Sequence, residues 1–240
     1  MKKLLMLLLF CSFVLSEAVA EFVITPSVGI SNLSQIHKKK EKGTIGLLTG
    51  KYEIKTINSY TAFSCGLDLG FIGKNGLSFF FNNNLSFSGV NVSKITGKIE
   101  VNSLSQNLPN VEIKEKKIKG VFWHADLLFG KTWKSFSTLY ISLLAGLSGG
   151  VSVMNPKEVV KNNVKLPIDD IKLTSYNAGL SINVGVSIYF TKNIGINLSV
   201  TEIPGVTASS ISGTNIKDIK IDGLGFANVF YIKIGPSFKF

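Results

Sequence analysis

Arginine is missing from all 240 residues, so each of the 26 basic residues is a lysine. That absence excludes the planar, bidentate guanidinium contacts that read a phosphate or carboxylate individually, and leaves diffuse point-charge attraction. Cysteine is scarce: only Cys11 and Cys65 occur, and Cys11 falls in an N-terminal leader. An internal disulfide in the mature chain is therefore excluded, and an exported fold of this kind relies on something other than covalent staples. His37 and His124 are the only histidines and lie far apart in the sequence. No metal-ligand spacing, phosphate loop or nucleotide fingerprint is present, so no catalytic, cofactor or metal residue is expected. Past the leader there is also no clean run of ~20 apolar residues, as a membrane-crossing helix needs. Ser137 to Asn155 and Leu173 to Thr191 are uncharged, but Ser, Gly and Asn interrupt both.

What is present begins with that leader. Lys2 and Lys3 precede an apolar run from Leu4 to Leu15, and Ala18-Val19-Ala20 supplies the small residues that a signal peptidase reads. The pattern predicts a cleaved signal peptide over residues 1–20, with Glu21 as the mature N-terminus and export as the consequence. Losing Lys2, Lys3 and Glu17 takes the net charge from +11 to +10. Residues 21–240 are enough for one domain.

Period two then governs the chain. Near the C-terminus Phe226, Asn228, Phe230, Ile232, Ile234, Pro236, Phe238 and Phe240 share one face of an extended strand, opposite Val229, Tyr231, Lys233, Ser237 and Lys239. The same split sets Leu180, Ile182, Val184, Val186 and Ile188 against Ser181, Asn183, Gly185 and Ser187. It sets Leu139, Ile141, Leu143 and Leu147 against Ser142, Gly146 and Ser148, and Trp123, Leu127 and Phe129 against His124, Asp126 and Gly130. Four more segments follow the rule, around Phe22–Ile30, Phe63–Phe71, Leu77–Phe87 and Ile196–Thr201, which makes eight strands. The connections alternate too. Short links fall at Gly73–Gly76, Lys131–Ser137 and Thr191–Asn193; long ones run over Ser31–Asn58, Ser93–Lys119, Met154–Lys172 and Gly205–Asp222. An even strand number with turns sorted by length is the asymmetry of outer-membrane barrels, short turns in the periplasm and long loops outside. A soluble sandwich has no reason to sort its loops by parity. Inside hydrocarbon an unpaired backbone amide costs several kcal/mol, so only helices or an edgeless sheet can cross. The expected fold is all-β: a transmembrane, eight-stranded, antiparallel up-and-down barrel, apolar outside and small or polar inside.

The last residues, Tyr231-Ile-Lys-Ile-Gly-Pro-Ser-Phe-Lys-Phe240, resemble the closing strand of bacterial outer-membrane proteins. Phe240, Phe238, Ile234 and Ile232 match that family's terminal aromatic with apolar residues at every second position; Pro236 departs from it. The resemblance implies location in the bacterial outer membrane, delivery by periplasmic chaperones and recognition by the barrel-assembly machinery. Over its mature length the chain resembles the small OmpX/OmpW-like barrels, in architecture and not in residue motifs. The stretch Gly73-Lys-Asn-Gly-Leu-Ser-Phe-Phe-Phe-Asn-Asn-Asn84 resembles a spirochaete (treponemal) family of outer-membrane proteins, which carries no activity over.

Two charge patterns remain. Asp68, Asp126 and Lys233 are inward positions at similar depth, and a buried charge in a narrow lumen needs a partner. Lys233 is expected to pair with one or both aspartates, with His124 nearby, as a structural plug or a polar constriction. The long loops hold the rest: six Lys and two Glu in the first, six Lys and three Glu in the second. Lys38, Lys39, Lys40 and Lys42, with Lys114, Lys116 and Lys117, would attract anionic glycans, lipid headgroups or acidic host proteins. The reading is a monomeric, non-enzymatic barrel in outer-membrane lipid, with basic loops for surface or host contact and no nucleic-acid partner. The alternative is a narrow OmpW-like channel for small hydrophobic solutes, suggested by inward Phe80, Phe122, Leu128 and Leu144. Cys65, outward among Phe63 and Leu67, reads as a small hydrophobe.

Overall fold

A strand that shows apolar side chains on one face and small polar ones on the other satisfies both faces only if its sheet curls shut. The computed structural model describes residues 19–45, 48–101, 104–107, 111–155, 158–161, 164–167, 172–213, 216–220 and 224–240. The leader assigned to residues 1–20 lies outside them up to residue 18, and the first strand begins two residues ahead of Glu21.

Eight long strands carry the fold: β1 (Val19–Ile45), β2 (Leu48–Gly73), β3 (Leu77–Val101), β4 (Val111–Lys134), β5 (Leu139–Asn155), β6 (Lys172–Tyr189), β7 (Ile194–Gly213) and β8 (Gly225–Lys239). Each pairs antiparallel with its neighbour in sequence, and β8 returns to β1, so the sheet closes. Leu104–Asn107 pairs with β3 and Ile216–Lys220 with β7, while Glu158–Lys161 and Val164–Pro167 form a separate small hairpin. The closure can be followed residue by residue. From Phe22 the pairings run through Phe71, Phe79, Phe129, Ala145, Ile182, Glu202 and Phe230, and arrive back on β1 at Asn32, ten positions beyond the start. Eight strands with that stagger tilt by ~40° to the barrel axis. The resulting lumen is narrow enough for side chains to fill.

Outward positions form an apolar belt. Leu127, Leu143, Leu147, Leu180, Val184, Ile232 and Ile234 are each 46% exposed or more, a pattern a soluble surface does not tolerate. The belt begins with aromatic rings near the short turns, where Phe22 packs on Phe71 at 4.9 Å and on Phe240 at 6.4 Å. It ends where outward residues turn polar. There Asn32 donates to Thr61 (2.8 Å), Asn228 donates to Glu202 (3.2 Å), and Phe63, Phe87, Phe230 and Trp123 stand at nearby depth. From Phe240 to Phe230 along β8 is ~25 Å of axial rise at this tilt, the height of the apolar band of lipid-spanning barrels. Phe226 lies beyond this edge, and Phe230 stands at it. Cys65 is half-buried on the outward face.

The long loops need correction. Ser31–Asn58 is mostly strand: β1 and β2 stay paired from Val19–Gly73 out to Ile45–Leu48. The second long loop likewise continues β3 and β4, with register shifts between Phe87 and Asn91. Alternation persists in these segments with charged residues in place of apolar ones, and hydrogen bonding to a neighbour continues wherever a partner strand exists. The departure at Pro236 also has an answer. Registers on either side, Ile24 with Phe238 and Val28 with Ile234, set Pro26 opposite Pro236. Two residues without an N–H thus face each other across the β1–β8 seam, and no donor is stranded.

Leu127 sits near mid-height of the belt and is 46% exposed. Leu127→Lys is expected to destabilise the barrel folded in lipid vesicles by ~2–4 kcal/mol, and Ser34→Lys, above the belt, by ~0–1 kcal/mol, in urea unfolding. Equal, small effects would contradict the belt.

Candidate functional site

The lumen is a stack of layers, each built from inward residues of several strands. At the short-turn mouth Glu21 (β1), Tyr140 (β5), Tyr189 (β6) and Lys239 (β8) converge. The Tyr140 hydroxyl donates to Glu21 Oε1 (2.9 Å), and Lys239 Nζ donates to the Tyr140 oxygen (2.6 Å) and lies 3.3 Å from Glu21 Oε1. The same ammonium sits 4.4 and 4.5 Å from the Tyr140 and Tyr189 ring centroids, a cation over two aromatic faces. This clasp closes the mouth.

Above it lies a cavity of about 30 Å³ whose lining includes Thr25, Asp68, Asn82, Asn183 and Ser199. It has room for about two water molecules. Asn82 Oδ1 and Ser199 Oγ, both in its wall, have no protein partner.

The charged layer follows. Lys233 Nζ donates to both Asp68 oxygens (2.8 and 3.0 Å) and to Asn84 Oδ1 (2.9 Å). Gly66 makes room for that: a Cβ there would come within 2.6 Å of Asn84 Oδ1 and 3.1 Å of Ser27 Oγ. Asp126 belongs to a different set. Its Oδ1 lies 3.1 Å from His124 Nδ1 and accepts a hydrogen bond from Ser148, whose hydroxyl also lies 3.0 Å from His124 Nδ1. Gly150 is required beside it, since a Cβ would collide with the His124 ring. Lys233 therefore binds Asp68, Asp126 turns to His124, and the four residues form two adjoining groups.

Capping the charges is an apolar plug. Leu33, Tyr60, Ala62, Phe122, Met154, Ile203, Val229 and Tyr231 form one buried cluster, with the Phe122 and Tyr231 rings stacked at 6.3 Å and 8°. Beyond it the lumen turns polar again: Gln35 donates to Asn177 (3.2 Å) and Thr207 (3.1 Å), and His37 Nε2 lies 3.3 Å from Ser209. His37 is above the belt, and burial lowers its pKa below the ordinary histidine value, so the ring is neutral at pH 7.

Nucleophilic chemistry is a poor fit to Ser148, His124 and Asp126. Ser148 Oγ lies nearer to Nδ1 (3.0 Å), the nitrogen that Asp126 engages, than to Nε2 (3.3 Å), whereas a relay sets the nucleophile on the nitrogen opposite the carboxylate. His124 and Asp126 are also fully buried beneath the plug, out of reach of substrate. Among the described residues no group of three or more His, Cys, Asp or Glu is arranged to hold a metal ion.

The remaining sequence-derived positions are scattered as follows. Lys38 is exposed; Lys39, Lys40 and Lys42 lie on the far part of β1, in register with Ile54, Glu53 and Lys51, and Lys114 on β4 pairs with Val92. Lys116 and Lys117 are on the same part of β4. Phe240, Ile234 and Ile232 are exposed on the lipid-facing side, with Phe238 partly covered. Sequence reading missed the Glu21–Lys239–Tyr140–Tyr189 clasp, the Ser148 and Asn84 partners and the plug. Inward parity marked Lys239, Ser148, Phe122 and Tyr231, but only the register and stagger bring them together with their partners.

A family model described as a domain of unknown function (DUF2715) matches residues 18–240. No curated protein matches the chain. Among solved structures, the outer membrane protein OprG from Pseudomonas aeruginosa is 13% identical, covering 93% of this chain and 97% of that one at a TM-score of 0.45. Neisserial surface protein A is 13% identical over 93% and 99%, also at 0.45. A major outer membrane protein from Thermus thermophilus is 8% identical over 92% and 100%, at 0.49. None of these supports the spirochaete resemblance of Gly73–Asn84.

Asp68→Asn leaves the Lys233 ammonium buried against a neutral amide. It is expected to cost ~3–5 kcal/mol in urea unfolding, with most of the loss recovered in the Asp68→Asn, Lys233→Met double variant. Additive losses would mean that the two side chains do not interact.

Proposed function

Because this chain belongs to the DUF2715 family, whose description assigns no activity, we propose from its geometry that it is a non-enzymatic outer-membrane barrel that presents lysine-rich hairpins to anionic ligands outside the cell. The observation that carries this is a contrast between lumen and hairpins: the lumen is blocked, while the strands run far past the apolar belt. Lys38 lies six residues beyond Asn32 on β1, ~15 Å above the belt's edge, and Lys42 ~25 Å above it. Surface charge is screened over ~8 Å at physiological salt. These lysines therefore act on what approaches from outside more than on the lipid around their own barrel. Register adds to the attraction. Lys38 stands opposite Lys55, and like charges directly across a ladder repel until an anion joins them.

The conduit reading has less support. Phe122 and Leu128 are fully buried and Leu144 nearly so, packed within layers instead of lining an open path. The likeness to outer-membrane proteins of solved structure leaves both readings where they stand.

Two measurements test the proposal. Purified barrels in planar bilayers are expected to give no conductance steps, and Phe122→Ala with Tyr231→Ala is expected to create them; steady wild-type conductance favours the conduit. Replacing Lys38, Lys39, Lys40 and Lys42 by Ser is expected to weaken binding to a sulfated polysaccharide roughly tenfold at low ionic strength, with the difference vanishing at high salt. Unchanged affinity at low salt counts against ligand capture by the hairpin.

A further inference from the structure

A second cavity, of about 410 Å³, opens at the short-turn end of the barrel. Its lining includes Lys74, Lys131, Trp133, Lys134 and the Gly73–Gly76 turn, with Glu21 and Tyr140 at the back. That volume falls in the range of ligand sites, ~300–1,000 Å³. Three ammonium groups share it with one described carboxylate, Glu21, which Lys239 and Tyr140 already engage. The frame is fixed. Gly76 N donates to Gly73 O (2.8 Å), Thr132 N donates to Gly76 O (2.8 Å), and Leu77 N donates to Asn75 Oδ1 (3.0 Å). Gly76 has φ of 82°, a left-handed conformation that costs glycine little, and a Cβ there would strike the Thr132 carbonyl. The β2–β3 turn is thereby tied to β4, which holds Lys74 close to Lys131.

What continues from the cleft decides the ligand class. Lys131 is exposed on the outward face and pairs with Leu77 on one side and Leu143 on the other, with Phe129 two residues along. Those three apolar residues are 60%, 50% and 61% exposed, and Trp133 beside them is 46% exposed. A molecule in the cleft therefore meets lysines at one end and bare apolar strand at the other. A free anion or a carboxylated polysaccharide would use the first alone, whereas an amphiphile already seated in the bilayer uses both. The other short turn, Thr191–Asn193, carries a single lysine, Lys192, so the site is one-sided.

We infer that this cleft binds an anionic phospholipid, with its phosphodiester among Lys74, Lys131 and Lys134 and an acyl chain along Leu77, Phe129 and Leu143. The inference rests on the outer-membrane reading, which sets the short turns in a phospholipid leaflet. Its effect is to fix the barrel's depth and rotation on one side by a bound lipid.

The test uses the mature chain refolded in phosphatidylcholine vesicles containing phosphatidylglycerol, followed by mild detergent extraction and native mass spectrometry of the lipids retained. Wild type is expected to retain phosphatidylglycerol over phosphatidylcholine. The triple variant Lys74→Gln, Lys131→Gln, Lys134→Gln is expected to lose that preference about a hundredfold, since each lysine near anionic lipid contributes roughly a fivefold factor. Lys38→Gln with Lys55→Gln, at the opposite end, is expected to leave it unchanged. Equal retention by the triple variant and wild type overturns the site. So does full displacement by inorganic phosphate, which would reveal an anion site without the lipid. Circular dichroism of the same vesicles separates the two failures: a β-rich barrel without lipid preference overturns the site alone, whereas a chain that never folds into lipid overturns the membrane reading and the site together.

Discussion

The structure depends on backbone hydrogen bonds that have no water to fall back on. In hydrocarbon each unpaired amide or carbonyl costs several kcal/mol, so a strand can cross only if both of its edges are paired. Eight strands meet that demand by returning β8 to β1, with a ten-residue stagger taken up as tilt. The prolines keep their departure from it to one place: Pro26 and Pro236 occupy facing positions at the seam, so both missing donors fall on a single pair of positions. Once the ladder is closed no disulfide is needed to hold it, and Cys65 is free.

Closure at eight strands also dictates the interior. The lumen admits side chains and little else, so glycines such as Gly66 and Gly150 appear where a larger neighbour crosses the axis. Charged groups placed there look for partners inside: Lys233 binds Asp68, and Asp126 Oδ1 lies against His124 and Ser148. The apolar cluster around Phe122 and Tyr231 then separates this layer from the outer mouth.

Much of the fold was legible because the barrel's two environments write themselves into alternate residues. Leu180, Ile182 and Val184 against Ser181 and Asn183 declare strand, face and solvent together. The extension of β1 and β2 to Ile45 and Leu48 was not legible, because beyond the lipid edge both faces meet water and polar residues at Lys38 to Lys42 look like loop. The site was half legible. Parity marked Asp68, Asp126, Lys233 and His124 as inward, but which aspartate Lys233 would choose depends on the stagger, a quantity spread over eight separate pairings. Phe122 and Tyr231 were hidden for the same reason: each is one inward aromatic on its own strand, and only the closed barrel stacks them.

The most direct check on the closed, lipid-spanning barrel is electrophoretic mobility of the detergent-purified mature chain in SDS, with and without boiling. A closed ladder resists SDS at room temperature, so the unboiled sample should migrate at a different apparent mass from the boiled one. Identical mobility in both lanes, from a chain that stays dissolved without detergent, would contradict it.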